Sequence, residues 1–262
     1  MSTLQLGYSV GRFKDAGAEV LRLERQASFI ADAENRLLTA LGLPDSGRVL
    51  DLGCGPGAAA ARILANRPGL DVIGLDRDAG LLTRARSIVR VLQADAEGLP
   101  FPSSSFDAVH VRLLLRHVPR PAAVLAEVHR VLRPGGRLVL GDSDDGALVL
   151  HPFPDEIARA LDAKHESARR RGADPFIGRR LPALVRTAGF SGLTVRAQAI
   201  DSGAVGRPTF GEVVLSPIAD AIDGDLLALA DQERTAGAIR RWIDDAGAFG
   251  MTTVVSVGGT KD

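Results

Sequence analysis

The hydrophobic positions change period along this chain, and the changes mark its elements. Between Ala18 and Leu41 the apolar residues Val20, Leu21, Leu23, Ala27, Ile30, Leu37, Leu38 and Leu41 recur at threes and fours, the spacing of one helix face. Gly42 and Pro44 then stop the helix. From Arg48 the pattern becomes short apolar runs separated by helical stretches. Runs at 48–52, 71–75, 89–93, 107–111 and 137–140 read as buried strands; 58–66, 79–87 and 121–132 read as helices. Pro121 falls in the first turn of the last helix, where its missing N–H costs nothing, and Arg133-Pro134-Gly135-Gly136 ends it. Repeated strand–helix alternation predicts a parallel sheet with helices on both faces and right-handed crossovers. Beyond residue 140 the rhythm breaks. Helices are expected over 155–171 and 181–188, strands over 193–199 and 252–257, and a helical, loop-rich stretch over 203–249. Met1 to Asp15 has no period and reads as an irregular arm.

Composition narrows the class. Of 262 residues, 45% are apolar, enough to bury the core of a large domain. Lys+Arg and Asp+Glu both number 32, so the chain lacks the field that draws nucleic acid. A small-molecule substrate and no nucleic-acid partner are expected. Cys54 is the single cysteine; an intrachain disulfide is excluded and a reducing, cytoplasmic setting fits. No Cys/His spacing points to a metal. Met1 to Arg12 lacks the apolar stretch of a signal peptide, and no apolar run is long enough for a membrane helix. A monomer or homodimer is expected.

Candidate chemistry gathers where the first strand ends. Arg48-Val49-Leu50-Asp51-Leu52-Gly53-Cys54-Gly55-Pro56-Gly57 closes an apolar run with glycines at alternate positions, before an alanine-rich helix start. Bare main chain can turn sharply and lets a ligand lie against it, and the helix aims its free N–H groups at the same place. The spacing is not the G-x-G-x-x-G of dinucleotide sites. No Gly-Lys-Ser/Thr follows either, which excludes a P-loop. An acid at the strand tip, Asp51, would repel a pyrophosphate and suits a cationic or amino-bearing ligand. Asp76 ends the second strand 19 residues after Gly57, a position from which a carboxylate can accept from ribose hydroxyls; Asp78 is better placed than Asp76 to cap the next helix. A third acid, Asp95, follows Leu92-Gln93-Ala94.

Asp51-Leu52-Gly53-Cys54-Gly55-Pro56-Gly57 resembles the first motif of class I S-adenosylmethionine-dependent methyltransferases. Leu99-Pro100-Phe101 through Phe106-Asp107-Ala108-Val109, then Leu132-Arg133-Pro134-Gly135-Gly136, Asp174 to Leu181 and Ala188-Gly189-Phe190 resemble the ubiquinone/menaquinone-biosynthesis type and its natural-product relatives. The resemblance spans roughly 48–142, with weaker matches outside. It implies an α/β, Rossmann-like class I methyltransferase fold, with a seven-stranded, mostly parallel sheet and helical cap insertions. Residues 1–44 would form a helical cover and 45–262 the cofactor-binding domain, with substrate-facing insertions at about 142–180 and 203–250. The implied cofactor is S-adenosyl-L-methionine. The resemblance sets Asp51, Gly53, Cys54, Gly55 and Gly57 along its methionine and ribose, Asp76 at the ribose, and Asp95 and Ala96 at the adenine. Arg77 and Gln93 would flank the ring, and Tyr8, Arg12, Gln26, Arg112 and His117 would approach the pocket.

The implied reaction is methyl transfer to a small, partly apolar acceptor of the secondary-metabolite kind, at O, N or C. The sulfonium methyl is already activated, so positioning dominates, worth roughly 7–11 kcal/mol; a base is needed only where the acceptor loses a proton. By position the candidates are Arg112, Arg116 and His117, Asp142 and Asp144, and His151 and His165. Of these His117, Asp142 and His151 are the expected catalytic groups. The alternative reading keeps the bound cofactor but has the pocket steer an elimination, cyclisation or rearrangement. Phe153, Phe176, Phe210 and Phe249 either shape an apolar pocket or pack the cap.

Overall fold

The computed structural model describes residues 16–28, 31–220 and 227–262. Five strands, β1 (Ser46–Leu52), β2 (Gly69–Asp76), β3 (Arg90–Gln93), β4 (Phe106–Arg112) and β5 (Leu132–Ser143), pair in parallel in the order β3-β2-β1-β4-β5. Helices α3 (Ala58–Asn66), α4 (Ala79–Ala85) and α5 (Pro121–Val131) connect them. The sheet is covered on both sides, which is why these strands read as continuous apolar runs. On one face Leu50, Leu52, Val109, Val111, Leu138 and Leu140 join Val124, Leu125 and Val128 of α5. On the other, Val49, Val72, Ala108 and Val139 meet Ala60 and Ile63 of α3 and Leu38. The chain reverses sides of the sheet between β1 and β4, and a doubly wound sheet binds its ligands beyond the strand ends at that switch.

Two long antiparallel strands close the sheet. β8 (Phe249–Lys261) pairs with β5 along one edge and, along the other, with β7 (Phe190–Asp201), which follows helix α7 (Leu181–Thr187). A three-residue strand, β6 (Val149–His151), extends the β5 edge against Phe249–Met251. It makes eight strands among the described residues where seven are expected. A second core lies beside this end. There α6 (Asp155–Arg170) and α11 (Leu229–Asp244) pack Ile157, Ala160, Ile239 and Trp242 around Phe210, Leu150 and Ile218. Phe210 therefore packs the cap, while Phe153 and Phe249 are exposed.

Further differences have physical causes. The helical pattern over 18–41 is described as α1 (Ala16–Ser28) and α2 (Ala31–Ala40). Arg133-Pro134-Gly135-Gly136 does more than end α5. Leu132 already pairs with Phe106, and the register slips before Arg137 meets Ala108, so these four residues form a bulge, where a proline without an N–H is tolerated. Short segments occupy much of 203–249: α8 (Ser202–Val205), α9 (Arg207–Phe210), a π turn at Gly211–Leu215 and α10 (Ser216–Asp220) precede α11. On the outside, α1 is tied to both halves. Glu24 accepts from Arg84 of α4 at 2.5 Å, and Arg22 Nη1 donates to the Val213 carbonyl at 3.3 Å.

Candidate functional site

The loop after β1 is clasped to the tip of β2. The Leu75 carbonyl accepts from Gly53 N–H at 2.8 Å and from Cys54 N–H at 3.1 Å, and Gly57 N–H closes on Cys54 O at 3.0 Å. Gly53, Gly55 and Gly57 all have left-handed backbones, with φ of +74°, +54° and +88°, a conformation that costs other residues roughly 1–2 kcal/mol. Their surroundings differ. A Cβ on Gly53 would lie 3.1 Å from the Leu114 side chain, and one on Gly57 would lie 3.1 Å from Ala85 of α4; one on Gly55 would meet nothing within 4 Å among the described residues. Packing therefore explains two of the glycines, and among the described residues nothing covers the bare main chain of Gly55.

Asp76 braces this loop from below. Its Oδ2 accepts from Gly55 N–H and its Oδ1 from Asp78 N–H, each at 2.9 Å, and each oxygen keeps a lone pair for a further donor. Burial raises its pKa, against the backbone donors of Asp78 and Gly55. Asp78, as expected, caps α4 through Gly80 and Leu81. Cys54 is buried against Gly74, and burial, then Asp51 and Asp76, push its thiol up. It is held protonated and is no nucleophile. Further along, Asp95 is exposed and accepts from Glu97 N–H at 2.9 Å, Ala96 is buried, and Gln93 donates to the Arg77 carbonyl at 3.1 Å.

Asp51 has a partner that sequence reasoning missed. It pairs in register with His110 on β4. Both are buried, at 1% and 3% exposure, and His110 Nδ1 lies 2.8 Å from Asp51 Oδ1. Asp51 Oδ2 is buried with no partner among the described residues. The available signal was a histidine inside the otherwise apolar run Ala108-Val109-His110-Val111.

A second polar cluster lies past β4 and β5. Leu113, left-handed at φ +52°, donates to the Gly141 carbonyl, and the next residue, Leu114, sits over Gly53. This turn therefore borders the glycine loop. Arg116 N–H and Ser143 N–H donate to the two oxygens of Asp142, at 3.1 and 2.9 Å. Asp142 is fully buried, and burial pushes its carboxyl up to about 6 despite Arg116. The Arg116 guanidinium bonds to Ser143 and to Asp145 Oδ1, while Asp145 Oδ2 receives Lys164 Nζ at 3.0 Å and His165 Nε2 at 3.2 Å. Burial alone would raise the Asp145 carboxyl; Lys164 and Arg116 outweigh it and hold the group well below the carboxylate range. Lys164 is lowered by its burial more than Asp145 restores. His117 is pushed well below its ordinary value by burial, then by Arg116 and Lys164, so its ring is neutral at pH 7. Asp144 is bound by Arg179 through two contacts at 2.7 and 2.6 Å. The ring of Phe176 lies 4.8 Å from that of His165.

The structure thus brings Asp51, Gly53, Cys54, Gly55, Gly57 and Asp76 together, and separately gathers Asp142 with Arg116, Ser143, Asp145, Lys164 and His165 beside His117. Arg112 ends β4. His151 is exposed on β6, opposite Phe249, and has no place in either. Tyr8 and Arg12 lie outside the described residues, and of Gln26 only its place in α1 is described. Lys164 was also missed. Its signal was a cation in the inward stripe Ile157, Ala160, Lys164 and Ser167 of α6. Among the described residues no helix is long and apolar enough to cross a membrane.

Comparison with known proteins follows the same lines. Residues 50–140 match the family described as methyltransferase domain. The chain is 31% identical over 177 residues to methyltransferase str3 of Strobilurus tenacellus, a match covering 65% of this chain and 62% of that one. It is 39% identical over 118 residues to the ubiquinone/menaquinone biosynthesis C-methyltransferase UbiE of Desulfotalea psychrophila, covering 43% and 48%. It spans less than two thirds of the length of either relative. Phosphoethanolamine N-methyltransferase 2 of Haemonchus contortus, solved with phosphomonomethylethanolamine and S-adenosylhomocysteine, shares the fold with a TM-score of 0.56 at 19% identity, covering 88% of this chain and 52% of that one.

Proposed function

We propose, from the premise that residues 50–140 belong to the methyltransferase domain family, that this protein transfers a methyl group from S-adenosylmethionine to a small-molecule acceptor. One observation carries the reading: Gly55 offers bare, left-handed main chain to space that no described residue fills, while its N–H is fixed on Asp76. That cradle, with the unpartnered Asp51 Oδ2 beside it, fits an adenosyl amino acid. The open side takes a ligand that a methyl group would displace, and the buried oxygen takes a donor that the chain does not supply.

When bound, the cofactor supplies an activated sulfonium methyl, and the chain's own residues supply position. Asp76 accepts from the ribose hydroxyls with its remaining lone pairs. Asp95 and the Ala96 N–H read the adenine edge, with Arg77 beside the ring. Asp51 faces the amino group. This reading gives residues 1–44 the role of a cover, and Tyr8 and Gln26 that of cofactor contacts. The insertions at 142–180 and 203–250 face the acceptor. Holding two reactants in line is worth roughly 7–11 kcal/mol.

Where the acceptor must lose a proton, His165 is the group placed to take it. Asp145 orients its Nε2 side, leaving Nδ1 for the acceptor, and the carboxylate stabilises the imidazolium that results. His117 suits this less, because its burial, then Arg116 and Lys164, oppose a charge on its ring. Asp142 has both oxygens on backbone N–H groups and holds the 113–117 turn in place. The balance of 32 cations and 32 anions supports a small acceptor over nucleic acid.

The test is incubation with S-adenosylmethionine and a panel of hydroxylated aromatics, quinones and amines, read by mass spectrometry. The expected result is one S-adenosylhomocysteine per methylated product. Conversion of an acceptor with no S-adenosylhomocysteine would replace transfer by a rearrangement or cyclisation, and no calorimetric binding of S-adenosylhomocysteine would end the reading.

A further inference from the structure

The Asp51–His110 pair lies at the junction of β1 and β4, where the sheet changes winding direction. Both side chains project to the α3 side of the sheet, as Val49 and Ala108 do two residues earlier. An ionised carboxylate only accepts, so His110 Nδ1 carries the hydrogen and donates to Oδ1 across 2.8 Å. The second oxygen is buried and unmatched among the described residues. An unmatched buried carboxylate oxygen is costly; folded proteins keep such groups where a partner arrives later. The charge of Asp51 is also felt at Cys54, within the glycine loop.

We infer that His110 is a positioning residue for cofactor recognition: its Nδ1–H fixes the Asp51 carboxylate so that Oδ2 meets the ammonium of the cofactor's amino-acid part. The inference rests on the cofactor reading above and adds a group from β4 to it. An imidazole Nδ1–H suits the task, since it supplies one directed donor at Oδ1 and leaves Oδ2 for the incoming cation. An arginine or lysine in its place would neutralise Asp51 before the ligand arrived. A rigid anchor also lets the ammonium be held without reordering the side chain on binding.

Two ligands separate positioning from support of the fold. S-Adenosylhomocysteine carries the ammonium; 5′-methylthioadenosine has the same adenosyl thioether without the amino acid. Calorimetric titration of the full chain with each, for wild type, His110→Phe and His110→Asn, reads the effect. In His110→Phe the affinity for S-adenosylhomocysteine should fall about tenfold to hundredfold, the scale of one lost hydrogen bond to a charged group, while that for 5′-methylthioadenosine stays within about twofold. His110→Asn, whose side-chain N–H can donate from nearly the same place, should recover most of the loss. Asp51→Asn should reproduce the selective loss, and it decides the matter if His110→Phe does not fold. Equal losses for both ligands, or no loss for either, would overturn the inference and leave the cofactor reading standing. Wild-type protein that binds neither ligand would remove both.

Discussion

Gly55→Ala and Gly57→Ala should separate binding from folding within one loop. Both residues are left-handed, so alanine at either costs roughly 1–2 kcal/mol of backbone strain. About 0.4–1 kcal/mol of that is offset by the stiffer unfolded chain. At Gly55 no further cost arises among the described residues, because the new Cβ meets none of their atoms within 4 Å. The net cost is about 1 kcal/mol, a fall in Tm of roughly 2–4 °C for a chain of this size. At Gly57 the Cβ would sit 3.1 Å from the Cα and Cβ of Ala85. Backbone cannot step aside as a flexible side chain can, so overpacking adds roughly 1–3 kcal/mol and Tm falls about twice as far or more. Binding should show another order. The methyl of Gly55→Ala occupies the space read here as the cofactor cradle, on a loop pinned by Leu75 O and Asp76, so affinity for S-adenosylhomocysteine should drop about tenfold to hundredfold. Thermal melting and isothermal calorimetry on the two purified variants suffice. Wild-type affinity in Gly55→Ala would refute the cradle, and a Gly57→Ala protein melting no lower than Gly55→Ala would refute the packing account.

Other outcomes follow from the same geometry. Asp76→Asn sets an amide N–H against one of the two backbone donors at Gly55 and Asp78, and S-adenosylhomocysteine affinity should fall at least about tenfold; calorimetry showing no change would count against Asp76 as a ligand. Asp145→Asn removes the common partner of Arg116, Lys164 and His165, at a cost of about 3 kcal/mol in urea unfolding at pH 7. Because the folded carboxyl lies below its unfolded value of 3.8, that gap is fully present above about pH 4 and shrinks as pH falls further; a gap unchanged at pH 3 would contradict the pairing. Asp142 has the opposite sign. Its folded value is raised from 3.8 to about 6, so its contribution is present at low pH and lost as pH rises through 6, and Asp142→Asn should compare best with wild type above pH 6. Gly258→Ala would bring a Cβ within 2.4 Å of the Leu41 carbonyl and should lower Tm by several degrees while leaving ligand affinity intact, since the contact is at the far end of β8; a loss of affinity at unchanged Tm would overturn that assignment.

Much of the site was legible because its groups are local in sequence. Gly53, Gly55, Gly57 and Asp76 announce themselves by spacing, since a strand followed by a glycine turn and helix forms one unit. The His110 contact was not legible. It depends on which strand becomes β1's neighbour, and β4 starts 54 residues after β1 ends, since Phe106 follows Leu52 at that distance. Lys164 was hidden for a related reason: a lysine at helical spacing is ordinarily solvated, and only the docking of α6 over Asp145 buries it. The bulge at 133–136 escaped notice because glycine and proline mark a break without saying whether the chain leaves the sheet or kinks within it.

By itself the sequence determined the alternation of strands and helices, the parallel sheet, the glycine turn and the two acids that follow it. Those features follow from periods and conformational preferences that each residue carries with it. Tertiary structure decided what the acids and histidines touch. Asp51 acquired His110, Asp145 gathered Arg116, Lys164 and His165, and His151 was left exposed outside both groups. These outcomes depend on strand order and on how α6 settles over Asp145 past the end of β5, and a side chain's charge state and partners are properties of the neighbours that packing supplies.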